Sequence, residues 1–151
     1  MSFRLRQSGR IWLGEFTALT DAGFTNGCSC RLHGASSIVP DGFNLALHVG
    51  DAAELVLANR RQFAAALGVD AAKFTTCAQV HGSKVAKVTA DLVGSGAAAF
   101  ADTVAGTDAL ITDLPGVPLL LFYADCVPVL LADPESGAVG LAHAGWRGSV
   151  G

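Results

Sequence analysis

Leu55, Asn59, Phe63 and Leu67 recur at a spacing of four, and Val56 and Ala66 widen the stripe they form. That period predicts an amphipathic helix over about 51–67. Asp51-Ala-Ala-Glu54 has the form of a capping box at its start, and Gly68 stands where a left-handed residue closes a helix. Residues 44–49 read as a strand, and 74–81 and 84–89 as a hairpin about Gly82-Ser83. The Ala- and Gly-rich stretch 94–106 shows no alternation and reads as loop or irregular short helix. Beyond it, 108–112, 118–125, 127–132 and 138–144 are apolar runs split by Leu-Pro-Gly and Asp-Pro-Glu-Ser-Gly turns, the pattern of largely buried sheet strands.

One long helix among blocks of strands with short connections predicts an α+β fold, a mixed multi-layer sandwich with helices packed outside β-sheets. No repeat or linker divides the chain, so residues 1–151 are expected to form a single domain. Gly145-Trp-Arg-Gly148 looks like a strand-to-helix turn, yet the sequence ends three residues later, before a helix is expected to form. The domain is therefore expected to be incomplete at its C-terminal side.

Composition narrows the function. A chain of 151 residues with 51% hydrophobic residues can bury a real core. A net charge of −3 and only 15% charged residues leave no basic surface for nucleic acid. The longest apolar stretch, 117–132, is interrupted by Asp125 and Pro128 and is too short to span a bilayer, which needs about 20 residues. No basic segment followed by an apolar one opens the chain, so the cytoplasm is the expected compartment and the four cysteines are expected to be reduced. Cys77 and Trp12 read as core; Cys28-Ser-Cys30 reads as two thiols without a role or as help for a second metal.

Four histidines are available: His33, His48, His81 and His143. If 127–132 and 138–142 pair symmetrically, Cys126 faces His143 across the ladder, with Cβ atoms about 4.5–5.5 Å apart. Such a pair suits a metal ion or a thiolate–imidazole couple, and His81, at the end of another expected strand, is a candidate third ligand. Cys-His-His would hold Zn²⁺ with one position open, the catalytic arrangement. Without metal, Cys126 and His143 would form the nucleophile and base of a hydrolase or amidase. A fourth position closed by Cys77 or His48 would instead make a non-catalytic zinc-binding interaction module. Taken singly, each residue also has a purely structural reading, Cys as core and His as a loop hydrogen-bonder.

Three motifs in order, Gln79-Val-His-Gly82, Ala124-Asp-Cys-Val-Pro128 and His143-Ala-Gly-Trp-Arg-Gly148, closely resemble the signature of the laccase-domain family, also called the YfiH-like or polyphenol oxidase family, now regarded as purine nucleoside phosphorylases. Upstream, Arg31-Leu-His-Gly-Ala-Ser36 resembles its Arg-x-Gly-Gly-x-Ser segment, with His33 in place of the usual glycine. Asn44-Leu-Ala, His48-Val-Gly-Asp51 and Asn59-Arg60 also match. The resemblance covers about residues 20–148, and family members continue for about 100 residues more.

The resemblance implies a zinc ion on His81, Cys126 and His143, with purine nucleosides and phosphate as substrates. It implies phosphorolysis of adenosine, inosine, guanosine and methylthioadenosine, and adenosine deaminase activity as well. Deamination needs an activated water and a proton donor to the leaving ammonia. The usual zinc deaminase has a Glu two residues after its His; here that residue is Ser83, and Asp125 beside Cys126 is the nearest acid–base candidate. Phosphorolysis needs cations for phosphate, a role for which Arg147 and Arg31 are candidates. His48, Ser36 and Asn44 are weaker candidates for substrate contact. Four histidines cannot build a laccase's copper cluster and blue-copper site together, and Met1, the only Met, is badly placed as an axial ligand. Copper would bind by substitution at the zinc site.

Overall fold

The computed structural model describes residues 2–150, which belong to two compact units, residues 1–71 and 72–151. The first unit opens with a hairpin of β1 (Phe3–Ser8) and β2 (Ile11–Phe16), turned through Gly9 in a left-handed conformation (φ 59°). In β2, Ile11 and Leu13 on either side of Trp12 are buried, as are Gly14 and Glu15, whereas Trp12 is 40% exposed and not the core residue expected. A short β3 (Cys28–Ser29) pairs with the other side of β2. Between them lies the short helix α1 (Thr17–Asp21).

The long helix α2 runs Ala53–Leu67 and ends at Gly68 with φ 71°. The amide of Val69 donates to Ala64 O and that of Gly68 to Ala65 O, which satisfies two end carbonyls. Its buried face is Val56, Asn59, Arg60, Phe63 and Ala64, one position round from the Leu55–Leu67 stripe; both leucines are only half-buried. The capping box does not form. Ala52 is the cap residue without a side-chain bond, and Asp51 turns away to hold the preceding loop. That carboxylate accepts from Ser36 Oγ (2.8 Å), Ser37 N (2.9 Å), Ser37 Oγ (2.6 Å) and Asn44 Nδ2 (3.0 Å).

Residues 44–49 are accordingly loop and turn rather than strand: Asn44 and Ala46 bond each other, Asn44 also bonds Asp51, and the Asn44 and Leu45 carbonyls accept from side chains of α2 instead of from a neighbouring strand. Burial raises the Asp51 pKa, but the hydrogen bonds from Ser37, Asn44 and Ser36 outweigh it and hold the carboxyl below its ordinary value. A carboxyl depressed in the folded state stabilises the fold above its unfolded pKa of about 4 and ceases to do so as pH falls toward the folded value. Asp51→Asn is therefore expected to melt below the parent at pH 6, with the gap shrinking by pH 3. Thermal melts at both pH values check this, and a gap independent of pH would contradict it.

The second unit is a four-stranded sheet in the order β4 (Val85–Lys87), β5 (Ala109–Thr112), β7 (Val139–Ala144), β6 (Val127–Ala132). β4 is parallel to β5 and the other pairs are antiparallel. The hairpin expected from 74–81 and 84–89 is absent: Thr75 and Cys77 instead make isolated parallel bridges to Leu119 and Val104. For the same reason 118–125 is not a sheet strand: it is irregular chain bridged at Leu119 that bends at 124–125. Residues 94–106 are turns and a short 3₁₀ turn, as their composition implied.

Cys77, Val88, Leu110 and Leu121 form the centre of this unit's core. β6 is an edge strand that alternates exposed and half-buried residues, so the expectation of a largely buried strand fails there; Val127 and Leu131 are 60% and 59% exposed. A single helical turn, α3 (Trp146–Val150), follows β7, where the sequence had suggested that no helix could form. The two sheets and few helices make the fold α+β, as expected. Among the described residues, no helix is long and apolar enough to cross a membrane.

Candidate metal centre

All three candidate ligands lie in the second unit. His143 is the penultimate residue of β7 and is buried at 6% exposure. Cys126, half-buried, immediately precedes β6, and His81 stands exposed in the turn before β4. Their donor atoms all lie within 4.8 Å of one another, and the His81 and His143 rings meet edge to face with centroids 4.7 Å apart.

The route to this cluster differs from the symmetric hairpin. The β6–β7 register pairs Pro128 with His143 and Val127 with Ala144, so Cys126 is not directly opposite His143. The turn is responsible: Asp133 and Ala138 close it, and the Asp133 carboxylate accepts from Glu135 N (3.0 Å) and Ser136 Oγ (2.5 Å). A slip of two residues keeps every side chain on its original face. Cys126 and His143 thus remain diagonal neighbours on one side of the hairpin.

The donor set fits zinc. Metal–donor distances of about 2.0–2.3 Å place the donors of one ion roughly 3.3–3.8 Å apart, so an inward shift of about 1 Å in the side chains closes the set. Space for it is kept by Gly145. A Cβ there would stand 3.2 Å from the His81 ring, 3.3 Å from Cys126 Sγ and 3.8 Å from the His143 ring. Gly148 is as tightly held: a Cβ would come within 2.2 Å of Gly82 O, so α3 lies backbone against backbone on the His81 turn. Among the described residues, no fourth His, Cys, Asp or Glu joins the group. Cys77, the considered fourth ligand, is buried in the core, and burial pushes its thiol pKa up.

Two polar residues that sequence reasoning passed over build the frame. Gln79 donates from Nε2 to Phe122 O (2.8 Å) and accepts at Oε1 from Phe122 N (2.9 Å), which ties the His81 segment to the one leading to Cys126. Asp108, 2% exposed, takes His143 Nδ1 at 2.9 Å and the amides of Val80, His81 and Gly82 at 3.2, 2.8 and 2.8 Å. Burial raises its pKa, but those bonds prevail and hold the carboxyl below its ordinary value. An acid at the head of the apolar run 108–112 was the available signal for it. The Tyr123 ring lies 5.7 Å from His143, its hydroxyl donating to Ala142 O.

Asp125 is exposed in the bend beside Cys126, and Arg147 is exposed in α3. The other candidates belong to the first unit. Ser36 and Asn44 are bonded to Asp51, Arg31 is exposed, and its carbonyl accepts from Phe43 N. His33 has φ 71°, the positive value suggested by the glycine it replaces, and its Nδ1 lies 3.1 Å from Asp41. His48 is exposed on a turn; partial burial and then the Arg60 charge pull its pKa below the ordinary value. Cys28 and Cys30 are half-buried free thiols.

The fold and the cluster together define an α+β protein with a candidate His-Cys-His metal centre. The chain belongs to the multi-copper polyphenol oxidoreductase laccase family, which it matches over residues 25–151. It is 44% identical over 147 residues to the purine nucleoside phosphorylase YlmD of Geobacillus stearothermophilus, covering 97% of this chain and 53% of the relative. The crystal structure of YlmD from that organism superposes with a TM-score of 0.88 at 41% identity, over 97% of this chain and 54% of the other. That of the hypothetical protein YfiH of Bacillus licheniformis gives 0.87 at 34% identity, over 97% and 53%. The chain spans about half the length of the curated relatives it matches.

Proposed function

We propose that this chain forms the zinc-binding part of a purine nucleoside phosphorylase, with His81, Cys126 and His143 as ligands. The observation that carries this reading is the convergence of three donors, one of them an exposed imidazole, with no fourth protein ligand among the described residues. A set of this kind leaves a coordination position for water or substrate. A bound zinc ion supplies a Lewis acid that can acidify water and polarise a substrate oxygen; copper binds the same donors by substitution.

The substrates proposed are adenosine, inosine, guanosine and methylthioadenosine, together with phosphate. Arg147 is the cation of this unit that we assign to phosphate, and Arg31 is a second. Asp125, exposed beside Cys126, is the proposed proton carrier to the leaving base and, in adenosine deamination, to ammonia. Ser36, Asn44 and His48 are the proposed substrate contacts of the first unit. The four free cysteines suit the reducing cytoplasm.

The test is to incubate the zinc-loaded protein with each nucleoside, with and without phosphate, and to follow free base and ammonia by chromatography. Phosphate-dependent release of adenine or hypoxanthine supports the reading, and ammonia from adenosine adds the deaminase. Neither product from folded, zinc-loaded protein overturns it. The metal-free Cys126–His143 hydrolase is the second reading, supported by the proximity of thiol and imidazole. Alkylation of Cys126 at the same rate with and without zinc would favour it. A non-catalytic zinc module is the third, and a metal site without an exchangeable water would favour that.

A further inference from the structure

We infer that Asp108 is the positioning residue of this metal centre, one carboxylate that sets the ring orientation of His143 and the backbone of His81 together. The inference rests on the metal reading above. Oδ1 receives His143 Nδ1 at 2.9 Å and the His81 amide at 2.8 Å; Oδ2 receives the Gly82 amide at 2.8 Å and the Val80 amide at 3.2 Å. A carboxylate only accepts, so the proton of a neutral His143 sits on Nδ1 and the lone pair on Nε2. Nε2 is then the nitrogen left for the ion, the usual arrangement in a metal-bound imidazole whose other N–H meets a carboxylate.

The same carboxylate explains the conformation of His81. Its φ of 61° lies in the left-handed region, which a non-glycine residue adopts only when its surroundings dictate it. Three successive amides, 80 to 82, converge on Asp108 and form an anion-binding concavity whose occupant is a side chain of the protein itself. His143 N also donates to Asp108 O at 2.7 Å, which fixes β7 against the residue that carries the carboxylate. Two ligands 62 positions apart in the chain are thereby referred to one buried group.

Asp108→Asn separates this role from plain packing. An amide has one acceptor and one donor end, so it must either offer N–H to His143 Nδ1 and His81 N, or face the Val80 and Gly82 amides with a donor. The first choice flips the His143 tautomer, and the second releases the His81 turn. Either weakens the site, and the expected loss of zinc affinity in a chelator competition is about 100-fold, the upper end for a group that orients ligands.

The experiment combines that competition with the cobalt spectra of parent and Asp108→Asn, and with nitrogen-15 NMR of the histidine rings in the metal-free parent. The expected results are an Nδ1–H tautomer for His143 in the parent, and a weakened, altered cobalt spectrum in the variant. A parent His143 protonated at Nε2, or a variant with parental affinity and spectrum, overturns the inference. The NMR measurement needs no variant and decides the matter if Asp108→Asn fails to fold. Failure of the parent itself to bind zinc or cobalt would instead overturn the metal reading, and the inference with it.

Discussion

Purified without added metal, the chain is expected to carry about one zinc ion, and Cys126→Ala or His81→Gly to carry none. Cys126 supplies the single anionic donor of the set, and its loss leaves two neutral imidazoles. Structural zinc sites release about 10–16 kcal/mol on binding, so one ligand of three accounts for roughly 3–5 kcal/mol, or about 10²–10⁴-fold in affinity. Glycine is the informative replacement at His81 because the residue has φ 61°. Alanine there would keep the backbone strain of about 1–2 kcal/mol that His81 already bears while losing the imidazole, whereas glycine removes the ring and relieves the backbone. Elemental analysis of the purified proteins, with circular dichroism to establish folding, reads the result. A folded parent without metal would contradict the zinc reading and leave the Cys126–His143 couple as the chemistry of the cluster.

Asn59→Leu is expected to destabilise the protein by about 3–5 kcal/mol. Asn59 is fully buried in α2; its Oδ1 accepts from Ala35 N and its Nδ2 donates to Asn44 O, both at 2.9 Å. Leucine nearly matches the volume but leaves the part-buried Ala35 amide and Asn44 carbonyl unpaired, each at about 1–3 kcal/mol. Repacking a branched apolar side chain in a polar niche adds to that. Arg60, buried beside it with its pKa lowered to about 10 by desolvation, donates to Leu45 O at 2.8 Å. The Asn-Arg pair therefore acts as a brace for the loop that carries Ser36 and Asn44. Urea unfolding followed by circular dichroism checks the value, and a loss under 1 kcal/mol would show that the loop finds other partners.

Much of the local structure was legible in the residues. The period of α2, the glycine that ends it and the strands β5, β6 and β7 all follow from spacing and turn residues that act over a few positions. The register of β6 on β7 was off by two because symmetry about the turn ignores the Asp133 carboxylate, which sets how the loop closes. The segments 74–81 and 118–125 misled for another reason. An apolar run states that it is buried and not which chain lies beside it, and here Thr75 meets Leu119 from 44 positions away.

By itself the sequence determined the Cys126–His143 pair as a candidate, the family signature that adds His81 to it, and the hairpin face that Cys126 and His143 share, since each depends on residue type or on a period of two. Only the tertiary structure decided that His81 joins them, that its backbone is left-handed, and that Asp108 holds it and His143 together across separations of 27 and 35 residues. Contacts at that distance leave no periodic trace in the chain. They arise when burial across the whole unit offsets the entropy of closing each loop, and the partner of a buried carboxylate is chosen there rather than by its neighbours in sequence.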